Sequence, residues 1–452
     1  MAKKQTTLSG EREGFGSRLG FILISAGCAI GLGNVWRFPF VVGQNGGAAF
    51  VLIYLAFLAL FGFPLLIAEL SLGRASAGGV SSALAALSRR GGKFWHALGA
   101  VIFSGNLLLM LYYTDVGGWL LQFTGAYAAK GVAPVFSEMT GDVRSCAVFM
   151  ALSVVLAVAV CACGVQKGVE RITKWMMLSL LALIAVLAVK ALTLEGAAKG
   201  LEFYLKPDWG KVASRPFKVV FDAMGQAFFT LSVGVGCMTI FGSYIDRSHS
   251  LVKDSVFIVA VDTFVAFVSG LIIFPACATY GIAVDSGPGL IFAALPKVFA
   301  AMDGGRIWGA AFFLFLSLAS LTTIIAVFEC IIGGIADETR LKRLPVTLAV
   351  GILVVLGSLP TVFIPGVLEI EDFIFSQFWL PLGALALCIF VSRNFGWGFD
   401  GFRQEASAGE GFGISKRLKN LYAWIIPAMI IIVLVGGILL SVLGPVDASV
   451  CE

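Results

Sequence analysis

An apolar stretch over residues 19–42 is long enough to cross a bilayer. Inside it stands Gly27-Cys28-Ala29-Ile30-Gly31-Leu32-Gly33-Asn34-Val35-Trp36-Arg37-Phe38-Pro39. This interior suits a continuous spanning helix badly. Gly costs about 1 kcal/mol and Pro about 3 kcal/mol relative to Ala within a helix. An Arg at membrane depth is expensive unless it faces a cavity or a partner. A Gly-x-x-x-Gly contact face through Gly27 and Gly31 accounts for the glycines but not for Asn34 or Arg37. The stretch therefore predicts a helix broken near Leu32, its freed backbone groups lining a binding site. Broken backbone at membrane depth is tolerated only when buried in protein or lining a cavity.

The rest of the chain places this stretch in a membrane. Of 452 residues, 59% are hydrophobic and 13% charged, against about 25% charged in soluble domains. Length therefore counts helices rather than soluble domains. The polar N-terminus and long first apolar run predict no cleavable signal peptide. Nine cysteines, mostly within apolar runs, read as small hydrophobes and not as a disulfide framework. Cys161 and Cys163 lack neighbouring ligands for a zinc site, and His96 and His249 lie far apart in expected loops. The net charge of +5 calls for no nucleic acid.

Eleven apolar runs span roughly 19–42, 48–72, 96–125, 145–163, 170–190, 217–244, 255–283, 306–336, 344–363, 373–392 and 421–444. With the N-terminus in the cytoplasm, inside segments hold 21 of the 32 Lys and Arg residues and outside segments hold 10. The positive-inside rule favours that orientation and puts Cys451 and Glu452 outside. The sixth run repeats the oddity of the first, carrying Gly225, Gln226, Thr230, Ser232, Gly234 and Gly236. Corresponding broken segments in two halves mark an inverted-repeat secondary transporter. Five helices separate them, so the second half is inverted. The expected division is a cytoplasmic segment 1–18, repeats 19–190 and 217–392 joined by an outer connection 191–216, a cytoplasmic loop 393–420, and a peripheral last helix within 421–452.

A dehydrated Na⁺ needs several oxygen ligands, which unwound carbonyls and side-chain oxygens supply. Candidates are carbonyls near Gly27, Ala29 and Ile30, with Asn34, Thr230, Asp262, Thr322 and Thr323. Hydroxyls in helices also bond back to carbonyls one turn earlier, and that plainer reading serves for Thr322 and Thr323 alone. Asp262 is different, because an intramembrane carboxylate is a functional hypothesis by default. Arg37 calls for an anionic partner, and Asp372 opens the tenth run on the same side; Glu369 and Glu371 read as solvated loop charges. Arg12 and Asp337 offer a second pairing at the other face, undecided from the residues alone. No phosphate-binding glycine loop, haem pattern or nucleophile–histidine pair is present, which argues against an enzyme or an ATP-driven pump.

Several blocks together resemble the neurotransmitter:sodium symporter family. They are Arg18-Leu19-Gly20, Gly31 through Pro39, Asn45-Gly46-Gly47-Ala48-Ala49-Phe50, and Pro64-Leu65 with Glu69 and Gly73-Arg74. Lys167-Gly168-Val169-Glu170-Arg171 and Gly225-Gln226-Ala227-Phe228-Phe229-Thr230-Leu231-Ser232 complete the set. The resemblance implies an all-α, five-plus-five inverted-repeat fold of the leucine-transporter type with an eleventh helix. It also implies Na⁺-coupled symport of amino acids or derived amines by alternating access, with no organic cofactor. By matching positions, a first sodium site resembles Ala29, Asn34, Thr230 and Asp262, completed by the substrate carboxylate. A second resembles Gly27, Ile30, Ala319, Thr322 and Thr323. The substrate pocket resembles Ala29, Leu32, Gly33, Leu109, Tyr113, Phe229, Thr230, Ser232, Val235, Thr323 and Val327. Tyr113 would bond the carboxylate and Phe229 would form the lid. The gates resemble Arg37 with Asp372, and Arg12 with Asp337 supported by Tyr244.

The departures sharpen the expectation. Monoamine carriers of this family have an aspartate where this chain has Gly31, so an amine lacking a carboxylate is a poor ligand here. An α-amino acid brings its own carboxylate to the helix breaks, whose dipoles favour anions. The subsite of Leu109, Val235 and Val327 favours apolar side chains. Val235 stands where some relatives carry a larger aromatic, which makes room for bulky aliphatic or aromatic substrates unless Leu109 takes that space. Chloride-dependent members have an asparagine at the position of Asp262, so transport is expected to be chloride-independent. An extension has Asp262 take up a proton once Na⁺ leaves, giving H⁺ antiport. Leu178 replaces a proline that several relatives use to unwind the fifth helix. The rivals are an H⁺-coupled amino-acid carrier of the same fold, a non-transporting receptor, and a channel. The expected setting is the bacterial inner membrane.

Overall fold

The computed structural model describes residues 14–282, 290–409 and 411–443. The first apolar run forms two helices, α1 (Arg18–Ala29) and α2 (Gly33–Gln44), meeting at 59°. Ser17 caps α1, its hydroxyl accepting from the Gly20 N–H at 3.0 Å. The helix stops because Ile30 turns to extended backbone (φ −74°, ψ 98°). Past the gap, α2 opens with a π-turn over Gly33–Arg37. Pro39 follows inside the same helix, where its missing N–H leaves the ladder one bond short beside the π-turn.

Next come α3 (Ala48–Ser76), α4 (Val80–Leu87), α5 (Gly92–Lys130), α6 (Val143–Ala162), α7 (Val165–Leu192) and the short α8 (Ala197–Leu205). The run at 217–244 is again two helices, α9 (Pro216–Phe229) and α10 (Cys237–Gly242), with residues 230–236 non-helical. The second half continues through α11 (Leu251–Tyr280), α12 (Ile291–Ala301), α13 (Gly305–Thr339), α14 (Arg343–Phe363) and α15 (Val367–Ser392). A small α16 (Phe399–Ala406) precedes α17 (Lys416–Gly437).

Among the described residues, nine helices are long and apolar enough to cross a membrane, and the bent α1–α2 pair makes a tenth. The eleventh expected crossing is present as α9 and α10, each too short to count alone. Both glycine-rich runs are thus broken helices. Burial ranks the layers: 78% of the most apolar window of α13 is buried, against 28% for α17. The helix α13 packs on α1, α5, α6 and α7 at the centre, whereas α17 lies at the edge against α15 and α9.

The Arg18 end of the bundle is tied down by polar contacts. Glu170 accepts from the Gly16 N–H (2.7 Å) and the Ser17 hydroxyl (2.7 Å). Arg18 pairs with buried Asp254 at 2.7 Å. Phe15 wedges beneath, its ring 5.4 Å from that of Tyr244 and 5.8 Å from that of Phe21. At the end of α3, buried Arg74 donates to Glu405 on α16 (2.8 Å) and to the His249 carbonyl (2.7 Å). Outside the spans, the Ser248 hydroxyl and N–H hold the Asp246 carboxyl below its ordinary range. His96 departs from the loop expected of it: it lies on the first turns of α5, 3.0 Å from Glu338.

Candidate functional site

The two breaks meet at one place. Asn34, in the first turn of α2, donates from Nδ2 to Asp262 Oδ1 (2.8 Å), the Asp262 carbonyl (3.2 Å) and Thr230 Oγ1 (3.3 Å). Thr230, the C-cap of α9, donates to the other carboxylate oxygen of Asp262 at 2.8 Å. All three side chains are buried, Asp262 completely. A carboxylate out of water needs partners, and these two polar neighbours supply them. Ala29 is the last residue of α1. The result is a tight set of the Asn34 amide nitrogen, the Thr230 hydroxyl and the Asp262 carboxylate at the junction of α2, α9 and α11.

A second oxygen set lies on the other side of the first break. The Thr323 hydroxyl on α13 is 3.2 Å from the Gly27 carbonyl, 3.1 Å from the Ile30 carbonyl and 3.3 Å from the Ala319 carbonyl. Thr322 bonds back to the Ala319 carbonyl at 2.9 Å, as the plainer reading expects of a helical hydroxyl. A Cβ built on Gly27 would stand 3.3 Å from Thr322 Cβ and 3.1 Å from Met177 Sδ. Gly27 is therefore a contact glycine as well as part of a break. Among the described residues no three His, Cys, Asp or Glu side chains stand together as a metal site. Carbonyls, hydroxyls, an amide and one carboxylate form a donor set for a hard cation and not for a thiophilic metal.

Between these sets the backbone of the break is held by side chains. The Leu32 N–H donates to the Tyr113 hydroxyl (3.2 Å), and the Gly31 N–H to Asn34 Oδ1 (3.3 Å). A Cβ on Gly31 would lie 2.5 Å from the Tyr113 hydroxyl oxygen, and one on Gly33 would lie 2.7 Å from the Phe229 ring. Both positions exclude any side chain as arranged. Arg37 lies over the Phe229 ring, its guanidinium carbon 4.6 Å from the ring centre. On the Arg37 side of that ring is a cavity of about 50 Å³ lined in part by Arg37, Asp222, Phe229 and Gln377.

The second break supplies the facing wall. Ser232 holds φ +49°, the left-handed region where an L-residue is uncommon. Buried Val235 and Leu109 lie close: a Cβ on Gly105, one turn before Leu109, would come within 3.1 Å of Val235 Cγ1. Val327 is fully buried on α13, one turn beyond Thr323.

The expected outer gate pair stands apart. Arg37 and Asp372 are near enough for their charges to interact but form no ion pair; Arg37 spends its face on Phe229. Asp372 lies beside Tyr112. Glu371 is not a solvated charge, since it is half-buried and accepts from the Thr361 hydroxyl at 2.7 Å. At the opposite end, Asp337 accepts from the Gly79 N–H at 3.0 Å, and Arg12 lies outside the described residues. The Tyr244 hydroxyl donates to Glu329 (2.8 Å), which is also paired with Arg343.

Several site residues escaped the sequence reading. Buried Gln226 donates to the Gly33 carbonyl at 3.1 Å, tying one break to the other. Glu69 accepts from the Gly234 N–H inside the second break. Asn106 donates to the Val235 carbonyl at 2.8 Å and lies 2.9 Å from Cys237 Sγ. Each is a lone polar residue in an apolar run, which is the available signal; the partner lies far away in sequence.

With this geometry in hand, comparison with known proteins is informative. Residues 12–130 and 135–443 match the model of the Sodium:neurotransmitter symporter family. The chain is 33% identical over 448 residues to an uncharacterized sodium-dependent transporter, YhdH, of Bacillus subtilis, covering 92% of this chain and 96% of that one. An uncharacterized sodium-dependent transporter of Haemophilus influenzae is 28% identical, covering 96% and 100%. The crystal structure of MhsT in complex with L-phenylalanine superposes with TM-score 0.84 at 32% identity, covering 94% of this chain and all of that chain.

Proposed function

The chain belongs to the sodium:neurotransmitter symporter family, a family of multi-pass sodium-dependent transporters and not of enzymes, and on that premise we propose that it imports apolar L-amino acids together with Na⁺. The observation that carries the reading is the buried Asp262 carboxylate, held by Asn34 and Thr230 where both helix breaks meet. Na⁺ would sit among Ala29, Asn34, Thr230 and Asp262, with the substrate carboxylate closing the shell. A second Na⁺ would use Gly27, Ile30, Ala319, Thr322 and Thr323. Support for the second site is the close approach of three carbonyls to the Thr323 hydroxyl.

The substrate carboxylate would take the Tyr113 hydroxyl and displace the bonds the Gly31–Leu32 backbone N–H groups now make, with the Phe229 ring closing over it. The contact between Gly31 and Tyr113 leaves no room for a fixed acidic side chain, so a cationic amine without its own carboxylate finds no counter-charge. Leu109, Val235 and Val327 would receive an aliphatic or aromatic side chain; the MhsT structure was solved with L-phenylalanine. Because Asp262 supplies a fixed negative charge at the first sodium site, transport needs no chloride. The same carboxylate takes a proton on the empty return, exchanging H⁺ for Na⁺ and substrate. The division into repeats 19–190 and 217–392, the cytoplasmic N-terminus and an inner-membrane setting belong to the same proposal.

The test is uptake of radiolabelled leucine, tyrosine and tryptophan into proteoliposomes, with Na⁺ or K⁺ outside and chloride exchanged for gluconate. Uptake that requires Na⁺ and ignores chloride is the expected result. Equal uptake in Na⁺ and K⁺ overturns the sodium sites and favours H⁺ coupling alone. Na⁺-dependent binding without uptake points to a receptor.

A further inference from the structure

A groove of about 470 Å³ runs along the bilayer-facing side of the bundle, where α7 meets α13. The α7 wall includes Arg171, Trp175, Ser179 and Leu183; Leu314 and Leu318 come from α13. From Arg171 to Leu183 the helix rises about 18 Å at 1.5 Å per residue. That is close to half of a ~30 Å hydrocarbon core plus the start of the headgroup layer. The groove therefore has the length of one leaflet. It is apolar at the Leu183 end and basic at the other.

Among the described residues the basic end lacks counter-charge. The Arg171 side chain makes no hydrogen bond or ion pair with any described residue, and neither do those of Lys167 and Lys174, which stand on neighbouring turns outside the groove lining. The adjacent acid, Glu170, points away and is occupied by Gly16 and Ser17. Arg171 is exposed, and Trp175, one turn on, is 64% exposed, as befits an indole at a membrane interface. A cation with no partner among the described residues, at the head of an acyl-sized groove, matches a lipid with a negative headgroup.

We propose that this groove binds one anionic phospholipid, its headgroup at Arg171 and an acyl chain lying past Trp175 toward Leu183. The inference is separate from the transport reading: it needs no sodium site, substrate or membrane orientation to hold.

The test uses the full chain reconstituted in phosphatidylcholine bilayers, with brominated lipids as quenchers of tryptophan fluorescence. Subtracting the Trp175→Phe signal isolates Trp175 from the other eight tryptophans. Dibrominated phosphatidylglycerol is expected to quench Trp175 at a mole fraction about fivefold lower than dibrominated phosphatidylcholine, the factor one basic side chain contributes near an anionic surface. Arg171→Gln should bring the two curves together, and Arg171→Lys should keep them apart. Equal quenching in the unaltered chain overturns the proposal and reduces the groove to ordinary boundary lipid. Absence of quenching by either lipid overturns it too, because no acyl chain then enters. A full preference surviving in Arg171→Gln excludes Arg171 as the headgroup contact and defeats the proposal.

Discussion

The hydroxyl of Thr323 stands 3.1 Å from the carbonyl of Ile30, across the gap where the first helix is broken. It links the central helix α13 to backbone that has lost its own helical partner. Thr323→Ala should weaken apparent Na⁺ affinity by about tenfold, the effect of removing one oxygen from a buried polar site. Thr323→Ser should stay near the unaltered value, and Thr323→Val should match Ala. Scintillation proximity binding at graded Na⁺ concentrations distinguishes them.

Gly31 is held against Tyr113 so closely that a methyl group would collide with the hydroxyl. Gly31→Ala should lower the unfolding temperature in detergent, at a cost of about 1–3 kcal/mol for overpacking. Adding Tyr113→Phe should recover stability but not substrate binding, because the carboxylate partner is then gone. Tryptophan-fluorescence melts and ligand binding on the same samples separate the two effects.

Asp262 carries the predicted independence from chloride. Asp262→Asn removes the fixed charge yet keeps the shape, so uptake should fall in gluconate and return in chloride. Proteoliposome uptake in the two salts checks this. Failure of both salts to support uptake would assign Asp262 to cation binding alone.

Arg74 and Glu405 form a buried ion pair between α3 and α16, with Arg247 on its rim. Arg74→Met should destabilise the protein by about 1–3 kcal/mol, since it removes the buried partner of Glu405 and leaves that acid only Arg247 on the rim. Arg247→Gln, at an exposed side chain, should cost about 0–1 kcal/mol. The paired change Arg74→Met with Glu405→Met should be milder than Arg74→Met alone. Thermal melts of the four proteins give the comparison.

Both breaks were legible in the sequence because Gly, Asn, Arg and Pro are expensive inside an apolar run. The lengths of the unbroken helices were legible for the same reason. Partners were not. Gln226 is visible as a misfit in the sixth run, but its acceptor is the Gly33 carbonyl 193 positions earlier. Asn106 reads as one polar residue on a long helix, and only packing brings Val235 and Cys237 to it. The expected Arg37–Asp372 contact is open because the Phe229 ring competes for the guanidinium. Glu371 is drawn inward by Thr361, a neighbour on the preceding helix that no charge pattern reveals.

The bond from Gln226 to the Gly33 carbonyl has a mechanical meaning. With Asn34 joined to Thr230 and Asp262, it makes the two interrupted helices one part rather than two. Ion and substrate would then be gripped by the same piece of backbone, so neither needs a signal carried through the protein to sense the other. Whatever one ligand contributes to firming that piece, the other must receive in equal measure. A carrier built this way resists running with half its cargo, because a half-filled centre is a loosened one.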